Sequence, residues 1–244
     1  MKQRKQWDIS EFNKTNLPEV VGQVQKAQFP AFSGLRYLDM PIFMPNQGWR
    51  VPEELSPLKH IISKVIGHEK TYGDFEKDHY VYITVDQKTV PAGATGRRAG
   101  AHSDAYIEIK NAQIDVTPAH SNCIKKQTGE VSHTYIIYDC LPTEFFKAPF
   151  PLTRTDCASS LQTFDDIAQK SPVVTYPAYT ILKLDPYVVH RCSICPQKTK
   201  RTFIKVSISR KKYARAGNTI NPLFAYSWQM TKRSPHERNH PWAA

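Results

Sequence analysis

The sequence predicts an α+β fold in which a helical N-terminal part supports a β-sandwich or distorted barrel. From about residue 79 onward, short segments rich in β-branched and aromatic residues recur with turn residues between them. Before that point, two apolar patterns begin at a proline, as helices often do. With 244 residues, 40% hydrophobic and 23% charged, the chain can bury a core. We therefore expect one domain over residues 1–244.

Residues 1–78 are expected to form the helical support. Pro18 precedes EVVGQVQKA and predicts a helix there, since proline suits the first helical turn. Ser56-Pro57 before LKHIISKVIG is a stronger signal, with serine as the cap and an end near Gly67. One apolar stripe on this second helix predicts that it packs on a sheet. The stripe consists of Leu58, Ile61, Ile62, Val65 and Ile66.

Residues 79–210 are expected to form the β core. Its strand-like segments are HYVYITV, AHSDAYIEIK, SHTYIIYD, AYTILKL, YVVHRC and TFIKVSIS. A loop rich in Gly and Arg, VPAGATGRRAG, separates the first two, and LQTFDDIAQK predicts a short helix. Residues 211–244 are aromatic and proline-rich, so we expect this tail to wrap the outside of the sheet. Its Trp228 and Trp242 are expected to pack against the barrel or a partner chain.

The sequence predicts a cytoplasmic protein with reduced cysteines. No run of about 18 apolar residues is present, so no membrane span is expected. The basic N-terminus is not followed by an apolar stretch and does not resemble a signal peptide. The five cysteines are an odd number and include one CxxC, Cys192 to Cys195. A structural zinc site usually needs a second ligand pair, so ordinary thiols are the simpler interpretation.

A net charge of +11 and a pI of about 9.4 favour anionic partners, nucleic acid among them. The alternative is a solvated basic surface. No nucleophile elbow, P-loop or dinucleotide fingerprint indicates a hydrolase, kinase or dehydrogenase. Part of the charge is concentrated in one stretch: Lys198, Lys200, Arg201, Lys205, Arg210, Lys211, Lys212 and Arg215.

His102, Asp104 and His190 form a candidate metal site. His102 and Asp104 lie two residues apart in a predicted strand, so their side chains point to one face. His190 ends the segment LKLDPYVVH and can deliver a third ligand inward. Two histidines and one carboxylate on one face of an octahedron suit iron(II). A surface His and Asp near a turn is the alternative, and His120 and His133 are other possible third ligands.

An arginine extends this pattern. Arg201 lies eleven residues after His190 and opens the strand RTFIKVSIS, where its fork can pair with a carboxylate in the same barrel. Ser207 lies on the same strand face and can add a hydroxyl. The alternative is that Arg201 belongs to the surface basic cluster.

These residues, over about 79–210, resemble the motif of the iron(II)- and 2-oxoglutarate-dependent oxygenase superfamily: HxD, a distal His, then an Arg about ten residues later. The resemblance implies a double-stranded β-helix (jelly-roll, cupin-like) core. It also implies iron(II) on His102, Asp104 and His190, the C5 carboxylate of 2-oxoglutarate on Arg201, and dioxygen as co-substrate. Phe203 stands where the family often has Ser or Thr, so Tyr135 or Tyr138 is expected to supply that hydroxyl.

The substrate is expected to be anionic or nucleic-acid-related. Arg97 and Arg98 lie in the loop before His102, and a mobile basic loop at the mouth can hold an anion. Tyr106 shares the metal-facing side with Asp104 and is expected to border the substrate, while Glu108 continues that face. Two alternatives stay open. One is a cupin-like barrel with other metal chemistry, which would not need an arginine for 2-oxoglutarate. The other is a non-enzymatic nucleic-acid-binding protein.

Overall fold

The computed structural model of the chain describes residues 2–104, 129–152 and 157–232. The α-helices in these ranges are α1 (Lys59–Glu69) and α2 (Cys157–Ala168). Short 3₁₀ helices cover Ile9–Asn13, Lys26–Gln28, Glu53–Leu58 and Lys70–Tyr72. The strands are β1 (Glu19–Gln23), β2 (Arg36–Met44), β3 (Gly48–Trp49), β4 (Tyr80–Val90), β5 (His133–Tyr138), β6 (Thr143–Phe146), β7 (Val173–Val174), β8 (Thr180–Leu184), β9 (His190–Cys192) and β10 (Thr199–Ser209).

The strands form two antiparallel sheets. The major sheet has seven strands in the order β1-β8-β5-β10-β4-β2-β3, and the minor sheet has the order β7-β6-β9. Strand β10 is central, since it pairs along its whole length with β4 and on its other side with β5. The predicted combination of helices and sheet is confirmed, and the sheets are mostly antiparallel.

One face of the major sheet packs on α1. Side chains alternate between the two faces of a strand, so Ile204, Val206 and Ile208 of β10 share a face. They lie in one buried cluster with the apolar stripe of the α1 region. Burying each of these aliphatic side chains stabilises the folded state by about 1.5–3 kcal/mol. The sequence therefore correctly predicted a helix packed on a sheet at this position.

The opposite face of the major sheet looks toward the minor sheet. Phe203 of β10 and Tyr138 of β5 pack there with Phe145 of β6, in a second buried apolar cluster that joins the two sheets. Arg201, Lys205 and Ser207 alternate with the apolar residues of β10 and so share the face of Phe203. The buried charged residues of β10 thus lie between the sheets, not on the α1 side.

The N-terminal segment and α2 cover the minor sheet. Phe12 stacks on Phe164 of α2 with ring centroids 5.6 Å apart, and both pack with Phe146 of β6. Tyr187, just before β9, belongs to the same cluster and contacts Phe12 edge-on. This packing holds the segment that leads into β9 in place.

The helix predicted after Pro18 is wrong. Residues Glu19–Gln23 form β1, an edge strand that pairs antiparallel with β8. Val20 and Val21 favour a strand, and β8 supplies hydrogen-bond partners that an isolated short segment lacks. Residues 1–78 therefore contribute β1, β2 and β3 to the major sheet besides carrying α1.

The described part of the tail lies along the edge of the major sheet. Asn221 donates from Nδ2 to the carbonyl oxygens of Pro41 and Arg50, at 2.8 and 2.7 Å. The backbone N–H of Thr219 donates to Leu38 O at 2.8 Å. Thr219 and Asn221 thus hold this part of the chain against β2 and Arg50. None of the described helices has the length and apolar character needed to span a membrane.

A buried polar network connects the end of α1 to the major sheet. Glu69 is fully buried and forms an ion pair with Arg4. Its carboxylate also accepts from His133 Nδ1 at 3.0 Å and from the hydroxyl of Tyr135. Burial acts to raise the pKa of Glu69, but these partners outweigh it and hold the pKa at about 2. The folded state is therefore stabilised by an ionised Glu69.

We predict that Glu69→Gln loses about 3–5 kcal/mol of unfolding free energy at neutral pH, because Arg4 is left buried without its counter-charge. The ionised carboxylate stabilises the fold above the ordinary pKa of 4.5. That contribution is lost as the pH falls from 4.5 toward about 2. Urea unfolding of wild type over this range should show a loss of stability that is missing in Glu69→Gln. The exposed Glu53→Gln is the control, and an acid slope in Glu69→Gln equal to wild type contradicts the prediction.

Candidate metal centre

Two backbone hydrogen bonds join His102 to His190. The N–H of His102 donates to His190 O at 2.9 Å, and the N–H of His190 donates to His102 O at 3.0 Å. Residues paired in this way present their side chains on one face. The two imidazole rings accordingly lie side by side, with centroids 4.6 Å apart.

Both imidazoles have one nitrogen fixed by the backbone. His102 Nδ1 lies 3.0 Å from Gly100 O, and His190 Nδ1 lies 3.0 Å from Val188 O. A carbonyl oxygen can only accept, so each Nδ1 carries the proton. The lone pair is then on Nε2 of each ring, which is the state that a metal ion requires.

Asp104 completes the cluster. The ligand atoms of His102, Asp104 and His190 all lie within 4.8 Å of one another. The segment is held in place from both sides, since Ala101 N–H donates to Asp165 Oδ1 at 2.7 Å and Ser103 Oγ donates to Pro186 O. Two imidazole nitrogens and one carboxylate match the donor set of a facial iron(II) site. The continuation of the predicted strand beyond Asp104 lies outside the described residues.

The electrostatics of the cluster favour metal binding. Burial, followed by the charge of Arg98, holds the pKa of His102 well below its ordinary value. Burial also lowers the pKa of His190. Burial acts to raise the pKa of Asp104, but the positive charge of Lys205 acts against it, and the pKa of Asp104 lies below its ordinary value. The site therefore presents two neutral imidazoles and one carboxylate.

Arg201 is a buried cation without a counter-ion among the described residues. Its side chain is 2% exposed, and Nε donates to Cys140 O at 3.2 Å. Its Nη2 has no hydrogen-bond partner in the part of the chain that the structure covers. Gly96 leaves room for the guanidinium, since a Cβ there would lie 2.7 Å from Nη1. A buried charge of this kind calls for an anion.

Phe203 takes the place of the expected hydroxyl residue beside Arg201. The guanidinium carbons of Arg201 and Arg97 lie 5.0 and 4.9 Å from the centre of its ring. Ser207 lies on the same face, but about 20 Å farther along the strand. Its buried Oγ has no hydrogen-bond partner among the described residues. Arg201 and Ser207 therefore cannot bind the same carboxylate.

The two tyrosines on β5 point to opposite faces. Tyr135 pairs with Val206, so it faces α1, where its hydroxyl donates to Glu69. Tyr138 pairs with Phe203 and faces the minor sheet, but its hydroxyl donates to Tyr176 O at 3.0 Å. The structure thus does not bring Tyr135 to the metal cluster. Two residues three positions apart on a strand point to opposite faces. Only the register with β10 shows which of the two tyrosines faces the minor sheet.

The loop before His102 is anchored at its base. Gly93 N–H donates to Cys195 O, and Cys195 N–H donates to Ala94 O, both at 2.8 Å. Arg97 and Arg98 are half-buried, and their charges lower the pKa values of Asp104 and His102 respectively. Both arginines thus lie near the cluster, on a loop more constrained than the sequence suggested.

Other candidate residues lie away from the cluster or outside the described residues. Tyr106, Glu108 and His120 fall in the range that the structure does not describe. His133 belongs to the Glu69 network on the α1 side. Arg191 pairs with Glu144 through Nε at 2.7 Å.

The basic stretch near the C-terminus is not one surface. Arg201 and Lys205 are buried between the sheets. Arg210 pairs with Asp78 at 2.8 Å and with Glu130 at 3.0 Å. The run of charges in the sequence is thus divided by strand alternation and by ion pairs.

Lys205 and Asp39 are residues near the site that the sequence analysis missed. Lys205 Nζ lies 3.1 Å from Asp39 Oδ1, and both side chains are 7% exposed. Lys205 was counted with the basic cluster, although its even spacing from Arg201 already placed it on the same strand face. Asp39 has no signal in the sequence, because it contacts Lys205 from an irregular stretch of β2.

A separate cavity of about 390 Å³ lies at the N-terminal end of β4. Tyr80, Tyr226, Trp228 and Lys212 contribute to its lining. Trp228 contacts Tyr80 edge-on and stacks on Tyr226, so the predicted packing of this tryptophan on the sheet is observed. None of the clustered residues His102, Asp104 or His190 lines this cavity.

No family model matches the chain, and no curated protein matches it. Among solved structures it is similar to EvdO2 from Micromonospora carbonacea var. aurantiaca, solved with 2-oxoglutarate (11% identity, 63% of this chain, TM-score 0.38). The match spans 64% of the EvdO2 chain, which is less than two thirds. AviO1 from Streptomyces viridochromogenes matches at 11% identity over 86% of this chain and 96% of its own, with TM-score 0.38.

HygX from Streptomyces hygroscopicus, solved with nickel and 2-oxoglutarate, matches at 10% identity over 71% of each chain, with TM-score 0.36. Such low identities and TM-scores carry no argument about this chain. The function proposed below rests on the geometry of the site.

We predict that the protein binds one Mn²⁺ at the cluster and that His190→Ala weakens this binding by more than about 100-fold, because a ligand is lost. Isothermal titration at neutral pH measures the affinity. His60→Ala, an exposed histidine on α1, is the matched control and should bind like wild type. Unchanged Mn²⁺ affinity in His190→Ala would show that the cluster is not the metal site.

Proposed function

We propose that this protein is a non-haem iron(II)- and 2-oxoglutarate-dependent dioxygenase. One observation carries the proposal: a two-histidine, one-carboxylate cluster is linked to a buried arginine that lacks a counter-ion among the described residues. The ring of His190 contacts Phe145 at 6.0 Å between centroids, and Phe145 shares a buried apolar cluster with Phe203, which lies two residues from Arg201. The cluster fits a metal, and the arginine fits a carboxylate. A 2-oxo acid that binds a metal at one end and an arginine at the other satisfies both.

The arrangement of the strands supports a double-stranded β-helix core in a single domain. His190 lies on the minor sheet and Arg201 on the major sheet, and a shared apolar cluster closes the space between them. Antiparallel sheets facing each other around a site are the architecture of jelly-roll and cupin-like barrels.

Each residue then has a defined task. His102 and His190 would bind iron(II) through Nε2, and Asp104 would bind it through its carboxylate. Arg201 would hold the distal carboxylate of 2-oxoglutarate, with Gly96 leaving the space for the guanidinium. When bound, iron and 2-oxoglutarate supply the oxidising chemistry with dioxygen. The apolar cluster of Phe145, Phe203 and neighbouring residues would exclude water from the space between the two sheets.

The substrate of this enzyme is proposed to be anionic or nucleic-acid-related. The charge of Arg201 would be balanced by a carboxylate of 2-oxoglutarate, and the charge of Lys205 is balanced by Asp39. Arg97 adds a further half-buried cation, without an ion-pair partner among the described residues. Arg98 adds another positive charge beside His102. An anionic substrate group would balance this excess.

Two observations weigh against the alternatives. A cupin-like barrel that does not use a 2-oxo acid gives no reason to bury Arg201 without a counter-ion. A non-enzymatic nucleic-acid-binding protein would need a continuous basic surface, whereas Arg201, Lys205 and Arg210 are buried or paired.

We predict that the iron(II)-loaded protein converts 2-oxoglutarate to succinate, and that Arg201→Ala binds 2-oxoglutarate about 10- to 100-fold more weakly while binding the metal normally. The lost contact is a charge-assisted hydrogen-bonded pair, which accounts for that range. Succinate formation and titration of 2-oxoglutarate into the metal-loaded protein are the measurements.

The control and a second variant sharpen this test. Arg50→Ala removes an exposed arginine and should leave the affinity for 2-oxoglutarate unchanged. Gly96→Ala should weaken 2-oxoglutarate binding without removing any charge, because its Cβ would displace the guanidinium of Arg201. Equal 2-oxoglutarate affinity in wild type and Arg201→Ala would favour the cupin-like alternative.

For the substrate, we predict that compounds that stimulate succinate formation carry a phosphate or carboxylate. Nucleoside monophosphates, short single-stranded oligonucleotides and the corresponding neutral nucleosides form a suitable panel. Arg97→Met should raise the KM of an anionic stimulator by about tenfold, since one charged contact is lost. Stimulation by neutral nucleosides with no effect of Arg97→Met would contradict an anionic substrate.

A further inference from the structure

The cavity of about 390 Å³ at the N-terminal end of β4 lies on the same side of the major sheet as Arg201. Tyr80, which lines it, pairs directly with Ser209 of β10, and opposed residues of an antiparallel pair present their side chains on one face. Ser209 follows Arg201 by an even number of residues and so shares its face, about 26 Å farther along the strand. The cavity is therefore separate from Arg201.

One wall of the cavity is aromatic. Trp228 stacks on Tyr226 with ring centroids 5.0 Å apart and meets Tyr80 edge-on at 5.7 Å. Tyr80 in turn stacks on Tyr82, with centroids 5.9 Å apart. The three rings that line the cavity are only half-buried, so part of their surface is open to it. Aromatic side chains exposed in this way bind flat rings by stacking.

The segment that carries Tyr226 and Trp228 is held in place by hydrogen bonds. The N–H of Thr231 donates to Ala214 O at 3.0 Å, and the N–H of Ala216 donates to Thr231 O at 2.8 Å. The N–H of Asn221 donates to the hydroxyl of Tyr226 at 2.7 Å. The aromatic wall is thus formed before any ligand arrives, which reduces the ordering cost of binding.

The cavity carries one positive charge. Lys212 is the charged residue among the described residues that line it, and it forms no ion pair with a described carboxylate. The other side chains that can form hydrogen bonds are neutral, and they include Gln47, Ser227 and Gln229. An anionic group in the cavity would meet Lys212 without repulsion from a carboxylate in the described lining.

We propose that this cavity is a binding site for a flat aromatic ring that carries an anionic group. The ring stacks on Trp228 and Tyr80, and the anionic group pairs with Lys212. A nucleoside monophosphate and an aromatic carboxylic acid share this chemistry, and the cavity volume lies in the range of small-molecule sites. The inference does not depend on the proposed metal site, since none of its ligands lines the cavity.

The test is isothermal titration of the full chain without metal or 2-oxoglutarate. Adenosine monophosphate and indole-3-acetate are the two aromatic anions. Adenosine lacks the anionic group and should bind about tenfold more weakly than adenosine monophosphate, because the charged contact is missing. Ribose 5-phosphate lacks the ring and should bind about 10- to 100-fold more weakly, because stacking is lost.

Three variants place the bound probe in the cavity. Lys212→Met should weaken binding of the aromatic anion about tenfold and leave adenosine unaffected. Trp228→Leu should weaken both by about 10- to 100-fold. Ala225→Phe fills the cavity without removing a side-chain contact and should weaken both as well. Circular dichroism establishes that each variant is folded, and Lys59→Met, an exposed lysine on α1, is the control that should bind like wild type.

The outcomes are distinct. Binding of adenosine monophosphate alone or of indole-3-acetate alone supports the site and identifies the class of its ligand. If neither binds, or if folded Lys212→Met and Ala225→Phe both bind like wild type, the proposal is overturned, while Mn²⁺ binding at the metal cluster is unaffected. Binding that requires Mn²⁺ and 2-oxoglutarate would place the probe at the metal cluster instead, and the proposal would be wrong.

Discussion

The pair of backbone hydrogen bonds between His102 and His190 is the interaction on which the candidate centre depends. Strand β9 is only three residues long, and β6 holds it on one side. On its other side, the bonds to His102 join it to the segment that carries Asp104. Each imidazole is then oriented by a carbonyl two residues earlier in its own segment. The ligand geometry depends on these bonds, together with those from Ala101 to Asp165 and from Ser103 to Pro186.

The second constraint is the alternation of side chains on β10. One face is apolar and packs on α1, while the other buries Arg201 and Lys205 toward the minor sheet. The two cations differ in their counter-ions. Lys205 has a counter-ion in Asp39, but Arg201 has none among the described residues. A fold that compensates one charge and leaves its neighbour uncompensated favours a ligand at the second, and we infer that this ligand is a carboxylate.

Sequence patterns predicted the core strands because β-branched and aromatic residues fill β4, β5, β8 and β10. They failed in the N-terminal part for physical reasons. The apolar run of β1 is too short for periodicity to separate a strand from a helix, and Pro18 suits either. In β2, Pro41 and the left-handed Asp39 interrupt the strand pattern, so this strand was not predicted.

The candidate site, like the fold, was predictable from the sequence only in part. His102, Asp104 and His190 were found because the donor types and the spacing of two on one strand are visible in a single sequence. The choice between Tyr135 and Tyr138 depends on the register with β10, which no local pattern encodes. Lys205 was hidden among surface-like basic residues, and its ion pair with Asp39 is visible only in the structure.

The most direct test of the metal centre is a crystal structure of the protein grown with Mn²⁺ and 2-oxoglutarate without oxygen. We expect the metal on His102 Nε2, His190 Nε2 and one oxygen of Asp104. The 1-carboxylate and 2-oxo group of 2-oxoglutarate should complete the site, with the distal carboxylate on Arg201. A metal bound elsewhere, or 2-oxoglutarate bound away from Arg201, would contradict the proposed function.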